Sequence, residues 1–278
     1  MPEAQPSKLE AALDQVLAGG PLRGLLDLLD RHSNLPGTRP NLDFARTVGI
    51  AIASRRGKAD ALVRALLGCP GEYPVIVAAH ALAQRALVGL DRRGAMGTLH
   101  DLADEPRHLV RMGIVSALRE VLRERGEETL PELASWTDGY FHAHVVLQAL
   151  ADREVLDRLR GPEEVIARLD EAFTLADVSP RAAERSQGLR TLREGMPAEV
   201  AVLAARFPEV VAWVEAKTAS KRPETREVVS QAITALRRGG LKNAEAARID
   251  GLLEASKKPP RDAARIVEGT RKRSKGRR

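Results

Sequence analysis

Apolar positions along the chain recur at three- and four-residue steps, as in Leu9, Ala12, Leu13 and Val16, and again in Leu22, Leu25, Leu26 and Leu29. Such spacing lines up one apolar stripe on a helix of 3.6 residues per turn. Clean two-residue alternation is absent, β-branched runs are short, and Trp, Tyr and Phe together number only eight, so the case for strands is poor. Gly and Pro punctuate the chain at helix-length intervals: Gly19-Gly20-Pro21, Pro36-Gly37, Pro70-Gly71, Pro106, Gly126, Gly161-Pro162, Pro180, Pro208, Pro223, Gly239-Gly240 and Pro259-Pro260. The stretches between them each suit one or two helices of roughly 10–18 residues, with the Gly-Gly pairs as helix ends. The pattern predicts an all-α chain.

The helices repeat one another. Residues 99–105 read as the end of a leucine-bearing helix, Pro106 marks a turn, and a second helix runs from Leu109 through Val110, Arg111, Gly113 and Val115 to Ala117-Leu118. The same shape occurs from Leu66 through Pro70-Gly71 to Ala81-Leu82, and from Leu133 through Asp138 to Ala149-Leu150. A looser copy runs from Pro223 to Ala235-Leu236. Anchored on Ala51, Ala81, Ala117, Ala149, Gly188 and Ala235, the steps are 30, 36, 32, 39 and 47 residues. A helix pair of this size cannot hide its apolar face alone and must stack on its neighbours. Small residues such as Ala78, Ala79, Gly113 and Ala143 are expected to let the inner helices approach closely.

Asp104, Pro106, Val110, Arg111, Gly113, Ala117 and Leu118 stand where a HEAT repeat has its turn acid and proline, its Val-Arg, its small residue and its Ala-Leu. The segment 99–118 resembles that family, as does 66–150 more broadly; beyond Arg160 the spacing drifts. The resemblance implies a right-handed α-solenoid of six or seven HEAT-like helical hairpins, an armadillo-type superhelix, over residues 1–256, with residues 257–278 as a basic extension. It also implies structural roles for two residues: Asp104 would bond amides at the start of the next helix, and Arg111 would reach a neighbouring repeat.

Charge separates the same two regions. From Lys217 to the end there are 18 basic and 7 acidic residues, whereas the first 216 residues carry 26 basic and 31 acidic. Seven of the nine lysines lie at or beyond Lys217. The body is mildly acidic, and the net charge of +6 comes from the C-terminal region. Two sets of bases are candidates for contact with nucleic acid or an acidic partner: Lys217, Lys221, Arg222 and Arg226, and then Lys257, Lys258, Arg261, Arg265, Arg271, Lys272, Arg273, Lys275, Arg277 and Arg278. No aromatic follows Trp213, so base stacking is not on offer and only sequence-independent, salt-sensitive phosphate attraction remains. Ala263, Ile266 and Val267 would suit a short helix near 260–270.

Motifs that carry chemistry are sparse. One cysteine, Cys69, excludes an internal disulfide framework and a cysteine-held zinc or iron–sulfur centre. The sequence has no GxSxG elbow, no GxxxxGK[ST] loop and no GxGxxG loop. His100 and Asp104 share a helical face but lack an evident third ligand, and His142 and His144 diverge by about 200° on a helix. No metal and no cofactor are expected. No apolar run reaches about 18 residues and the first ten residues do not resemble a signal peptide, so the reading is of a cytoplasmic protein without membrane contact.

Three functions remain. The leading expectation is a non-enzymatic scaffold whose groove takes a protein or peptide. The alternative is sequence-nonspecific binding of DNA or RNA through the basic C-terminal residues. The third rests on a looser resemblance: Trp136-Thr137-Asp138-Gly139-Tyr140-Phe141 is similar to the Asp-and-aromatic segment of DNA-alkylation-repeat glycosylases, although Ala143 and His144 occupy the stretch where that family carries paired arginines. An acidic body also disfavours a grip on a phosphate backbone.

Overall fold

The computed structural model describes residues 6–257, and all regular structure among them is helical. The helix expected near 260–270 lies outside the described residues. The chain opens with α1 (Pro6–Leu17), α2 (Arg23–His32) and α3 (Leu42–Ala53), followed by α4 (Asp60–Leu67) and α5 (Glu72–Leu87). Next come α6 (Arg92–Ala103), α7 (His108–Arg125), a 3₁₀ segment (Leu130–Asp138), α8 (Tyr140–Leu150) and the single turn α9 (Arg153–Leu156). The last part comprises α10 (Glu163–Asp177), α11 (Gln187–Arg206), α12 (Glu209–Lys217), α13 (Pro223–Arg238) and α14 (Asn243–Ala255).

Local chemistry sets the boundaries. Asn41, Asp91, Asp152 and Ser186 cap α3, α6, α9 and α11 with side-chain oxygens that accept from free amides of the first turn. The Gly-Gly pairs end helices as their sequence suggests. Gly19 and Gly240 take φ of 89° and 104°, and the following Gly20 and Leu241 amides donate five residues back to the Gln15 and Leu236 carbonyls, each at 2.9 Å. That left-handed closure satisfies carbonyls the helix would otherwise leave bare.

Packing follows chain order. α3, α5, α7, α8, α11 and α13 form one row in which each helix rests on the next. Across from it, α4 lies on α5, α6 on α5 and α7, the 3₁₀ segment and α10 on α8, and α14 on α13. The six small anchors each fall on a different member of the first row. Their unequal steps have a simple cause: Ala149 is the penultimate residue of α8, whereas Gly188 is the second residue of the 20-residue α11. The anchors therefore mark the helices but not one common depth.

The 130–138 segment differs from the α-helix its position in the repeat implied. Leu130, Leu133 and Trp136 are buried at a strict spacing of three. In a 3₁₀ helix, with three residues per turn, such residues eclipse one another on a single face; in an α-helix they would wind away from it.

Close approach in the first row depends on missing side chains. A Cβ on Gly113 of α7 would lie 2.6 Å from Ile76 of α5. A Cβ on Gly49 of α3 would lie 2.8 Å from the backbone of His80 and Ala81. The first obstacle is a side chain that can shift, whereas the second is helix backbone. We expect Gly49→Ala to destabilise the fold by about 1–3 kcal/mol despite alanine's better helix propensity. Gly251→Ala, in α14 with nothing within 4 Å of the new methyl, should stabilise by about 0.5–1 kcal/mol. Urea unfolding of the two variants checks both signs, and equal effects would contradict this account of the α3–α5 contact.

Candidate functional site

The first-row helices carry polar side chains into their mutual contacts. His80 on α5 is fully buried with Nδ1 2.6 Å from Oε1 of Glu120 on α7, and Gln84 Nε2 donates to the other Glu120 oxygen at 2.5 Å. Arg46 of α3 approaches the same carboxylate at 3.8 Å. One turn along, Arg123 of α7 grips both oxygens of Asp152 at 3.0 and 3.1 Å, while Asp152 also caps α9. Arg119 of α7 donates to the Gln148 carbonyl of α8 at 2.8 Å. These groups tie α3, α5, α7 and α8 together where apolar packing alone would leave their registers loosely specified.

A groove of about 390 Å³ opens beside them, lined by Arg46, Gln84, Leu87, Val88, Arg123 and Arg125 together with Glu120 and Glu124. Val88 is 63% exposed there, an unusual state for a large apolar residue at the end of a buried helix. The groove thus offers a small apolar patch bordered by three arginines and two glutamates, with Arg123 already held by Asp152 and Glu154.

Deeper in the row, His144 of α8 and Glu199 of α11 lie 3.5 Å apart, both buried. Gly195 makes the approach possible, because a Cβ there would sit 2.6 Å from His144 Cε1. Pro197, inside α11, removes the amide that would have reached the Arg193 carbonyl. Burial pushes Glu199 up to about 8, against an opposing pull from Arg119. Burial also pushes His144 down to about 4, helped by the positive charges of Arg111 and His108. Near neutral pH the pair is therefore an uncharged carboxyl beside an uncharged imidazole.

A second cluster sits where the two rows meet. α6 brings His100, the end of the 3₁₀ segment brings Trp136 and Asp138, and the first turn of α8 brings His142. His100 Nε2 is 3.1 Å from Asp138 Oδ1, and His142 Nδ1 is 3.7 Å from the same atom. The two imidazoles stack with centroids 4.3 Å apart, and Trp136 abuts His100 edge-on at 5.5 Å. Buried His142 Nδ1 makes no hydrogen bond. Burial and then the charge of His100 lower the His142 pKa, against Asp138 and Asp104. One ligand atom from each of His100, Asp138 and His142 lies within 4.8 Å of the others. The cluster borders a cleft of about 720 Å³ between α6 and the 3₁₀ segment.

The residues singled out from sequence take varied places. Arg111 is buried and donates to the Glu105 and Pro106 carbonyls of its own turn at 2.6 and 2.7 Å, with its guanidinium 4.0 Å from the Phe141 ring on α8. It thus closes its own turn and also reaches the next helix of the row. Asp104 is exposed, and among the described residues its carboxylate makes no hydrogen bond. Glu105 instead accepts from the Arg107 amide at 3.1 Å and from Arg107 Nε at 2.9 Å, bracing the turn before α7, whose first-turn amides have no side-chain cap.

The basic cluster 217–226 is mostly engaged within the protein. Lys217 pairs with Asp170 and lies over the Phe173 and Trp213 rings. Arg222 binds the Asp177 and Ser179 carbonyls and Glu184. Arg226 binds the Thr218, Ser220 and Leu253 carbonyls and Ser256 Oγ. Lys257 reaches Glu254 at 2.6 Å. Only Lys221 of this group is exposed without an ion pair among the described residues. Lys258, Arg261, Arg265, Arg271, Lys272, Arg273, Lys275, Arg277 and Arg278 lie outside the described residues.

In the sequence, the spacing of His100 to Asp104 and of His142 to His144 hides the His100–Asp138–His142 grouping. The usable signal was the four-residue step from Asp138 to His142, disguised by the change from 3₁₀ to α-helix at Gly139. Among the described residues, no helix is long and apolar enough to cross a membrane. No family model, curated protein or solved structure matches the chain.

The buried pair gives a pH signature. Glu199 has a folded pKa above its ordinary 4.5, so the folded state retains a proton that the unfolded chain releases, and its contribution falls as pH rises toward 8. His144 acts oppositely, but only between about 4 and its ordinary 6.5. Between pH 6.5 and 8 only Glu199 matters, and stability should fall by on the order of 1–2 kcal/mol. Glu199→Gln should flatten that slope in urea unfolding at the two pH values; an unchanged slope would assign the dependence elsewhere.

Proposed function

We propose that the protein is a HEAT-like α-solenoid acting as a non-enzymatic scaffold, with the groove beside Arg46, Val88 and Arg123 as the docking place for a protein or peptide. The observation that supports this reading is the continuous first row, in which α3, α5, α7, α8, α11 and α13 pack each on the next. Repeats of this kind build extended binding surfaces because each unit adds a helix to the same side. The groove would take a segment with an apolar anchor and a few acids: Val88 and Leu87 supply the apolar floor, and the exposed Arg46 and Arg125 a positive rim that Glu120 and Glu124 partly offset, while Arg123 is held by Asp152.

The nucleic-acid reading has less support, since most of its 217–226 cluster is occupied in holding α10, α12, α13 and α14 together. The glycosylase reading also loses ground. Trp136 is buried against His100, and Phe141 is covered by Arg111, so neither aromatic is free to receive an extruded base.

An array of peptides pairing one aliphatic or aromatic anchor with two or more acids tests the scaffold reading. Full-length protein and a 1–256 truncation should both bind members of the array, and Val88→Asp should weaken binding by about tenfold. Absence of binding, or indifference to Val88→Asp, would remove this groove from consideration. Tight binding to a random-sequence DNA duplex that disappears with residues 257–278 and falls steeply with salt would favour the nucleic-acid alternative instead.

A further inference from the structure

We propose that His100, Asp138 and His142 form a binding site for a divalent transition-metal ion of the zinc class, with at least one coordination position left open toward the adjoining cleft. Two imidazoles and one carboxylate are a ligand set suited to zinc and its first-row neighbours. Bonds of about 2.0–2.2 Å to such an ion place neighbouring donor atoms roughly 3–3.5 Å apart. The Asp138 oxygen already lies 3.1 Å from one imidazole nitrogen and 3.7 Å from the other. The two rings now stack with their planes 25° apart, so their nitrogens converge on one ion only when the half-buried His100 ring swings out of the stack and exposed Asp138 follows it.

Two features point at an ion rather than at a histidine–carboxylate contact alone. First, His142 Nδ1 is buried, faces the cluster and has no hydrogen-bond partner. A buried polar atom left unsatisfied is costly, and an ion at this position would satisfy it. Second, the backbone makes room for that ring: a Cβ on Gly139 would lie 2.3 Å from His142 Nδ1. Gly139 has extended φ of −139°, so space and not conformational freedom is what glycine provides.

The surroundings define the class of site. The ligands come from three separate elements, α6, the 3₁₀ segment and α8. Trp136 braces His100 from the side. Three protein ligands with a cleft of about 720 Å³ alongside leave room for water or a small anion on the ion. Arg93, exposed on the cleft wall, supplies positive charge toward such an anion.

The test uses chelator-treated full-length protein titrated with Zn2+ by calorimetry and with Co2+ by visible absorption. One ion per chain is expected, with the d–d bands of a four- or five-coordinate Co2+ that Zn2+ displaces. His100→Gln and Asp138→Asn should each weaken binding by about tenfold or more. Both side chains are partly exposed, and thermal melts establish that the variants fold. Gly139→Ala, which alters no ligand atom, should weaken binding as well by displacing the His142 ring. His108→Gln and Cys69→Ser, outside the cluster, should leave it unchanged. No stoichiometric binding would overturn the proposal. So would binding that survives the His100 and Asp138 variants, or that is lost with His108 or Cys69.

Discussion

The fold depends on how closely α3, α5 and α7 can approach. α5 is buried from Val75 through Ala83, so it has no solvent face in that stretch and must be covered on all sides by its neighbours. Gly49 on one side and Gly113 on the other bring the flanking helices to within touching distance of α5 backbone and side chain. Because α5 is enclosed, the next pair must add to α7, and so on along the chain. Burial that no single pair can achieve is shared among successive neighbours, which makes each interface a condition for the next.

That arrangement places polar groups where water does not reach, and the protein handles them in two ways. Glu120 has several partners: His80, Gln84 and Arg46 converge on it from two other helices. Glu199 has few, with one oxygen lacking any hydrogen bond, and burial keeps it protonated beside a neutral His144. The difference is one of neighbours rather than residue type. Where hydrogen-bonding side chains converge on a buried carboxyl group, they satisfy its oxygens; where none does, burial drives the group toward its protonated form, as for Glu199.

Arginine and lysine serve the same economy of contacts nearer the surface. Arg226 reaches from α13 to the end of α14, Arg222 to the loop after α10, and Lys217 to α10 itself. Each satisfies carbonyls or a carboxylate on another helix or its adjoining loop and so ties neighbouring elements together. A run of bases in sequence therefore reads as a ligand-binding patch until the structure reveals which of them already have partners. The histidines invert the lesson: His100 and His142 are far apart in the chain, yet stacking and a shared carboxylate bring them into one cluster.

The helical class, the positions of most turns, the Gly-Gly helix ends and the small residues at close contacts were legible in the sequence, because they depend on local spacing and on backbone chemistry within a few residues. The six anchor positions likewise identified the helices of the first row. Tertiary structure alone decided the rest. It made 130–138 a 3₁₀ segment with a buried spacing of three, and it left Asp104 exposed while Glu105 took up the Arg107 amide and side chain. It also engaged the 217–226 bases internally and joined His100 to Asp138 and His142. These outcomes depend on which helix ends meet across 30 to 45 residues of chain, as in the 43-residue separation of Trp213 from Asp170. Local periodicity sets how each helix is faced, but only the packed array determines what each face meets.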